Sequence, residues 1–276
     1  MKINRNRLLI AAVISILLNP IPVIAEVRPG TTKEIYINSP EKDYPIRHVF
    51  VWTPDVPNKN KLPIVYLLHG WPGYPSGLMS ATINSLDSAF KNGAKPFIAV
   101  FPNGNAITHE DSEWADSFDK KAMVETWLTK YVIKKVEAGN IRSRNNRAIL
   151  GYSMGGYGAV MIGLHHPELF SQVITLAGYF VVDDDTNTFG TPPKNIVKLA
   201  YQNPDNFLSR SSGIRWFLGE AENDSNELIN GQADQWSKKL AAHKAEFVID
   251  RNSGGHNYQF VSEEIKPVTA WLQWSN

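Results

Sequence analysis

A serine lies between closely spaced glycines in the run Gly151-Tyr152-Ser153-Met154-Gly155. Residues 146–150 before it have the apolar run of a strand, and residues 157–165 after it have the pattern of a helix. At a sharp strand-to-helix turn the serine hydroxyl is exposed, and it lies at the positive end of the helix dipole. Only glycine fits two positions before and after such a serine, because the backbones nearly touch there. We therefore predict that Ser153 is a nucleophile able to attack a carbonyl carbon.

A nucleophilic serine needs a base, and His256 is the candidate. Of the seven histidines it alone lies in a glycine-rich loop after a late predicted strand, in the run Ser253-Gly254-Gly255-His256. The two glycines let the backbone turn, so that the imidazole can point back across the strand ends. His69 also follows a strand, but we expect it to shape its own loop through hydrogen bonds.

Two carboxylates follow the predicted strand at 214–219, and either could orient the imidazole of His256. Glu222, three positions after Gly219, is the preferred acid, and Asp224 is the alternative. Both choices keep the order serine, acid, histidine that is typical of triads in α/β-hydrolases.

A second glycine-rich loop, His69-Gly70-Trp71-Pro72-Gly73, directly follows the apolar run at 63–68. Backbone N–H groups in this position and just after the nucleophile can stabilise an oxyanion. Pro72 has no N–H group. The predicted donors are therefore the backbone N–H groups of Trp71 and Met154.

These loops must be held by strands and helices that alternate along the chain. Two early segments alternate apolar and polar residues, as half-buried antiparallel edge strands do. Later segments are continuously apolar, as central parallel strands are, and helical patterns lie between them. The fold class is therefore α/β, with a mostly parallel central sheet, helices on both faces and antiparallel N-terminal edge strands. The predicted strands are 32–38, 46–52, 63–68, 96–101, 146–150, 172–177, 214–219 and 245–250, and the predicted helices are 78–92, 123–136, 157–165 and 227–243.

Two long loops carry further expectations. The loop at 102–119 holds an acidic cluster that we interpret as a solvated surface run, and Trp114 within it is a candidate pocket-lining aromatic. The irregular region at 178–210 is either a cap over the site or an ordinary surface excursion. The acidic residues of the first loop are Glu110, Asp111, Glu113, Asp116 and Asp119.

The first 25 residues have the pattern of a secretory signal peptide. Three basic residues precede an apolar stretch at 8–18 that is too short to span a bilayer comfortably, and Val23-Ile24-Ala25 fits a cleavage site. An uncleaved anchor is the alternative. We expect a single domain over residues 26–276, without a membrane span after cleavage.

Charge and cysteine content limit the possible partners. The chain has 28 Lys+Arg and 27 Asp+Glu, a net charge of +1, and no cysteine. Near-neutral charge without a basic cluster argues against nucleic acid as a partner. Disulfides and thiolate chemistry are excluded, and no cofactor or metal is expected.

Three motifs resemble the putative esterase family, also called the esterase D or antigen 85 family, which includes feruloyl esterases and mycolyltransferases. They are Leu67-Leu68-His69-Gly70, Gly151-Tyr152-Ser153-Met154-Gly155-Gly156-Tyr157-Gly158-Ala159 and Gly254-Gly255-His256. The resemblance covers nearly all of residues 33–275. It implies an α/β-hydrolase fold that acts on esters through an acyl-enzyme. The family acid usually follows a Gly-x-x-Asp or Gly-x-x-Glu pattern, which supports Glu222.

The sequence therefore predicts a secreted or periplasmic serine esterase with Ser153, His256 and Glu222 as its triad. Its expected substrate is a small-molecule, carbohydrate or lipid ester. One alternative is an acyltransferase in which a sugar or lipid hydroxyl replaces water. Another is a non-catalytic binding protein that keeps the hydrolase fold.

Overall fold

The computed structural model describes residues 28–109, 111–181, 186–193 and 199–275. The predicted signal peptide at 1–25 lies outside these residues. Within the described ranges, no helix is both long and apolar enough to cross a bilayer.

One eight-stranded sheet forms the centre of the molecule, in the order β1-β2-β4-β3-β5-β6-β7-β8. The pairs β1–β2 and β2–β4 are antiparallel, and every other neighbouring pair is parallel. The predicted fold class, with its antiparallel N-terminal edge, is therefore confirmed. The strands are β1 (Arg28–Asn38), β2 (Ile46–Asp55), β3 (Ile64–Leu68), β4 (Ile98–Pro102), β5 (Arg147–Tyr152), β6 (Gln172–Leu176), β7 (Arg215–Ala221) and β8 (Glu246–Asn252).

Helices cover both faces of this sheet. Val124 to Val136 is one helical run of three parts, with a π-helical stretch (Trp127–Val132) in the middle. The helices are α1 (Pro75–Lys91), α2 (Val124–Thr126), α3 (Ile133–Val136), α4 (Met154–His165), α5 (Thr186–Phe189), α6 (Gln232–Ala242) and α7 (Tyr258–Trp271). Short 3₁₀ helices lie at Lys59–Lys61, Arg144–Asn146 and Pro204–Gly213.

The apolar core has two layers, one on each side of the sheet. Helices α1 and α7 close one layer, where Leu86 and Phe260 pack on the sheet. Helices α4 and α6 close the other, with Val160 and Trp236. All six residues of β5 are buried, so the strand before the serine is fixed from both faces. Full burial of each large apolar side chain stabilises a fold by about 1.5–3 kcal/mol.

Helix α7 is the one long element that the sequence analysis did not predict. Its apolar residues recur at helical spacing, but Pro267 inside it interrupts the usual helix signal. The Asn257 side chain caps its start by accepting a hydrogen bond from the backbone N–H of Phe260, at 3.1 Å. Because α7 starts two residues after His256, it fixes the loop that carries this histidine.

Candidate active site

Ser153 lies between β5 and α4, on the turn that the sequence predicted. Its backbone is in the positive-φ region, at φ 56° and ψ −120°. A Cβ atom on Gly151 would lie 1.7 Å from the Gly155 carbonyl oxygen, and one on Gly155 would lie 2.1 Å from that of Leu68. Both positions must therefore be glycine. The backbone N–H of Ser153 donates to the Leu176 carbonyl at 3.0 Å, which ties the turn to β6.

The imidazole of His256 joins this serine to a carboxylate. Its Nε2 lies 3.0 Å from Ser153 Oγ, and its Nδ1 lies 2.8 Å from Asp224 Oδ2. With the proton on Nδ1 donated to the carboxylate, Nε2 is left as the acceptor for the serine hydroxyl. The Asp224 side chain is 1% exposed and that of His256 is 25% exposed. The imidazole is thus open to solvent on one side, while the carboxylate is shielded.

The preference for Glu222 as the partner of His256 is corrected by this geometry. Glu222 is exposed, and its backbone N–H donates to the Asn252 carbonyl at 2.8 Å. The chain then turns, with the Asp224 N–H bonded to the Ala221 carbonyl at 3.1 Å, which brings Asp224 to the inside. The alternative acid of the sequence analysis therefore occupies the position beside the imidazole. Spacing from the end of a strand cannot reveal which side of a turn faces inward.

Two residues that sequence reasoning missed hold this histidine in place. Asn223 donates from its backbone N–H to the Gly254 carbonyl at 3.1 Å, and from its Nδ2 to the Ser253 carbonyl at 2.5 Å. The ring of Tyr152 lies 5.0 Å from the imidazole, centroid to centroid. Tyr152 occupies the variable position of the Gly-x-Ser-x-Gly motif, so the motif itself gives no signal for this contact.

The predicted oxyanion donors lie on both sides of the serine. Met154 is the first residue of α4, where backbone N–H groups lack partners within the helix. A Cβ atom on Gly70 would lie 3.0 Å from Ser153 Cβ, so the loop that carries Trp71 packs directly against the nucleophile. The Trp71 side chain is 44% exposed. The donor roles of Trp71 and Met154 stay predictions.

His69 shapes the loop at 69–73 through hydrogen bonds, as expected. It is fully buried, its Nε2 accepts from the backbone N–H of Gly104 at 3.0 Å, and its Nδ1 lies 2.9 Å from the Gly70 carbonyl. Burial lowers the pKa of His69 to about 4, so the ring is neutral at pH 7. The proton on Nδ1 then donates to Gly70, and neither ring nitrogen is left for proton transfer.

The expectations for the loop at 102–119 are partly wrong. Trp114 is fully buried and donates from Nε1 to the His69 carbonyl at 3.0 Å, so it is core and not pocket lining. Asp116 accepts from the backbone N–H of Thr126 at 3.0 Å. The Glu113 carboxyl is buried and accepts from the Tyr179 hydroxyl at 2.5 Å, and burial raises its pKa to about 8. Glu110 lies outside the described residues. Glu113 and Asp116 are structural because the folded loop hydrogen-bonds them, whereas Asp119 is exposed, and composition alone cannot separate these cases.

Another buried carboxylate, Glu125, lies at the far end of α4. His165 Nδ1 and His166 Nε2 each lie 2.9 Å from its Oε1. Burial alone would raise the pKa of Glu125, but these two histidines lower it to about 2. In the described part of the chain, no group of histidine and carboxylate side chains has an arrangement that could hold a metal ion.

A groove of about 370 Å³ lies beside the loop at 69–73, with Trp71, Tyr74 and Asn105 in its lining. A larger cavity of about 1010 Å³ lies between α1 and α7 and includes Ser85 and Lys266. None of the residues that line this larger cavity belongs to the turn of Ser153 or to the loops of Asp224 and His256. The smaller groove adjoins Trp71, although its lining, like that of the larger cavity, includes none of Ser153, Asp224 and His256.

The mostly parallel sheet and the serine turn, with its histidine and carboxylate, define an α/β-hydrolase with the site of a serine esterase. The chain belongs to the putative esterase family, whose profile matches residues 45–260.

Known proteins agree with this assignment. An acetyl esterase of Caldicellulosiruptor saccharolyticus is 24% identical, with 79% of this chain and 85% of that protein covered. A ferulic acid esterase structure superposes with a TM-score of 0.73 at 19% identity, covering 89% of this chain and 98% of that one. The fluorophosphonate-binding serine hydrolase F of Staphylococcus aureus gives a TM-score of 0.70 at 18% identity, covering 89% and 99%.

Proposed function

We propose that the protein hydrolyses carboxylic esters through an acyl-enzyme on Ser153, with His256 as base and Asp224 as the acid that orients it. The observation that carries this proposal is the pair of contacts on one imidazole, 3.0 Å from Nε2 to Ser153 Oγ and 2.8 Å from Nδ1 to Asp224 Oδ2. Both distances fall in the range that direct proton transfer and ring orientation require.

In the first half of the reaction, Ser153 Oγ attacks the ester carbonyl carbon as His256 Nε2 takes the hydroxyl proton. The imidazolium that forms is stabilised by the Asp224 carboxylate, which is shielded from water and therefore interacts strongly. His256 then gives the proton to the leaving alcohol, and the acyl group stays on Ser153.

In the second half, water attacks the acyl-enzyme carbonyl while His256 Nε2 takes a proton from it. The carboxylic acid leaves, and the proton returns to Ser153 Oγ. In both halves the backbone N–H groups of Trp71 and Met154 donate to the tetrahedral oxyanion. One oxyanion donor is worth about 3–4 kcal/mol of transition-state stabilisation in serine hydrolases.

Replacing the nucleophile tests this proposal most simply. Ser153→Ala should fold normally and lose about a millionfold in kcat on p-nitrophenyl acetate, because no acyl-enzyme can form. Wild type should also be labelled by a fluorophosphonate at Ser153, as located by mass spectrometry. If Ser153→Ala kept a tenth of wild-type turnover, the nucleophile would be another group.

Acetyl and feruloyl esters are the first substrates to compare, because relatives carry those names and the groove beside Trp71 is open to solvent. Adding an alcohol acceptor to the assay separates hydrolysis from acyl transfer. A transferase would divert the acyl group to the alcohol, whereas the hydrolase that we propose releases mainly the free acid.

We also propose that the protein is exported and that its leader is removed after Ala25. The basic start, the apolar stretch at 8–18 and the small residue at position 25 support this. N-terminal sequencing of protein from the periplasm or the medium should begin at Glu26. An active membrane fraction that keeps Met1 would indicate an anchor instead.

A further inference from the structure

A buried carboxyl group on α7 lies directly beneath the two loops that carry Asp224 and His256. Glu264 is 1% exposed and lies on the apolar face of α7 beside Ile265. Burying a carboxyl group costs free energy unless its oxygens are hydrogen-bonded. The contacts of this side chain therefore indicate what it does.

Glu264 Oε1 accepts a hydrogen bond from Asn252 Nδ2 at 2.5 Å. Its Oε2 is buried and faces β7 and β8, because a Cβ atom on Gly219 would lie 3.0 Å away and the Asp250 side chain interacts with the same carboxyl. Asp250 and Asn252 are two residues apart on β8 and therefore project from the same face of the strand. Glu264 thus holds the amide of Asn252 from one side.

Asn252 is also hydrogen-bonded to both loops. Its Oδ1 accepts from the backbone N–H of Gly254 at 2.8 Å, in the loop that leads to His256. Its backbone carbonyl accepts from the N–H of Glu222 at 2.8 Å, in the turn that leads to Asp224. A Cβ atom on Gly254 would lie 2.8 Å from Asn252 Oδ1, so this turn closes tightly on the amide.

We infer that Asn252 and Glu264 are positioning residues that hold the Asp224 and His256 loops in the geometry required for proton transfer. The inference rests on the proposed function, since it gives these residues no role apart from the Ser153, His256 and Asp224 site. Neither residue touches Ser153, and each acts through the loop backbone.

The hydrogen bond from Asn252 to Glu264 is possible in either charge state of the carboxyl group. Burial raises the pKa of Glu264 to about 8, and the neighbouring Asp250 raises it further while the Asn252 hydrogen bond opposes the rise. Glu263, on the same helix, adds a small repulsion. Oε1 accepts from Asn252 whether or not Oε2 carries the proton, and ionisation makes the carboxylate a stronger acceptor for the same amide.

The test compares Glu264→Ala and Asn252→Ala with Glu264→Gln, using Glu263→Ala as the matched control on the exposed side of α7. On p-nitrophenyl acetate at pH 7, Glu264→Ala and Asn252→Ala should lose roughly 10–100-fold in kcat with KM changed less than about twofold, a loss similar to that caused by removing residues that orient metal ligands. Glu264→Gln keeps an oxygen for Asn252 and cannot ionise. It should therefore stay within about threefold of wild type.

Rates are normalised to folded protein, measured by near-UV circular dichroism, so that unfolding is not counted as lost positioning. Full kcat in Glu264→Ala or Asn252→Ala, or an equal loss in Glu264→Gln and Glu264→Ala, would overturn the inference. Failure of the proposed function is recognised separately, because Ser153→Ala would then turn over the ester as fast as wild type.

Discussion

The turn of Ser153 and the loops of Asp224 and His256 meet at one site but are built in opposite ways. The serine turn is fixed by steric contacts of its glycines with backbone carbonyls: a Cβ on Gly151 would lie 1.7 Å from the Gly155 carbonyl oxygen, and one on Gly155 would lie 2.1 Å from that of Leu68. The acid and histidine loops are fixed by hydrogen bonds between residues about 30 positions apart, as from Asn223 to Gly254.

This difference decides how each part responds to change. A steric requirement for glycine admits no substitute, because the atoms in the way belong to the backbone and cannot move aside. A network of hydrogen bonds has several members, so the loss of one is shared among the rest. The serine turn should therefore fail completely when altered, whereas the loops should fail by degrees.

The largest effect is expected at the serine turn. In Gly155→Ala the new Cβ would lie 2.1 Å from the Leu68 carbonyl oxygen, which β3 holds in place. We expect a loss of more than about 4 kcal/mol in the free energy of unfolding, measured by urea titration. Gly213→Ala is the control, since its Cβ meets nothing nearer than 4.0 Å, and it should change stability by less than about 1 kcal/mol. Equal stability of Gly155→Ala and Gly213→Ala would contradict the steric explanation.

A smaller effect is expected at the other end of α4, where Glu125 is hydrogen-bonded to His165 and His166. The pKa of Glu125 falls from 4.5 to about 2 on folding, so its contribution is present above pH 4.5 and is lost as pH falls toward 2. The shift corresponds to roughly 3 kcal/mol at neutral pH.

Glu125→Gln should therefore lower the free energy of unfolding at pH 7 by about 2–3 kcal/mol, a difference that shrinks below pH 4.5. Urea titrations at pH 7 and pH 3 measure it. Glu168→Gln is the matched control, because that side chain is 66% exposed and lies 3.3 Å from His166, and it should change stability by less than about 1 kcal/mol. A Glu125→Gln effect that stays the same at both pH values would contradict the charge-based explanation.

The sequence could predict the features that depend on local patterns, and it could not predict those that depend on hydrogen bonds between distant residues. The sheet, the serine turn and the loop of His256 follow from apolar periodicity and from glycines, which are local signals. Helix α7 was missed because Pro267 interrupts its pattern, and Asn252 gave no signal because its partners Gly254 and Glu264 come together only in the fold. The choice of Glu222 over Asp224 failed for the same physical reason. The turn after Ala221 is set by hydrogen bonds to Asn252 and Gly254, and no local rule reports these bonds.

The most direct test of the central claim compares Asp224→Asn with Glu222→Gln in kcat on one activated ester at saturating concentration. Asn at position 224 removes the charge that stabilises the imidazolium of His256, and it can present an N–H that favours the wrong tautomer. We predict a loss of roughly ten-thousandfold, as in serine proteases. Glu222 is exposed, so removing its charge should cost less than about tenfold. The reverse ranking, or two mild effects, would contradict the assignment of Ser153, His256 and Asp224 as the catalytic group.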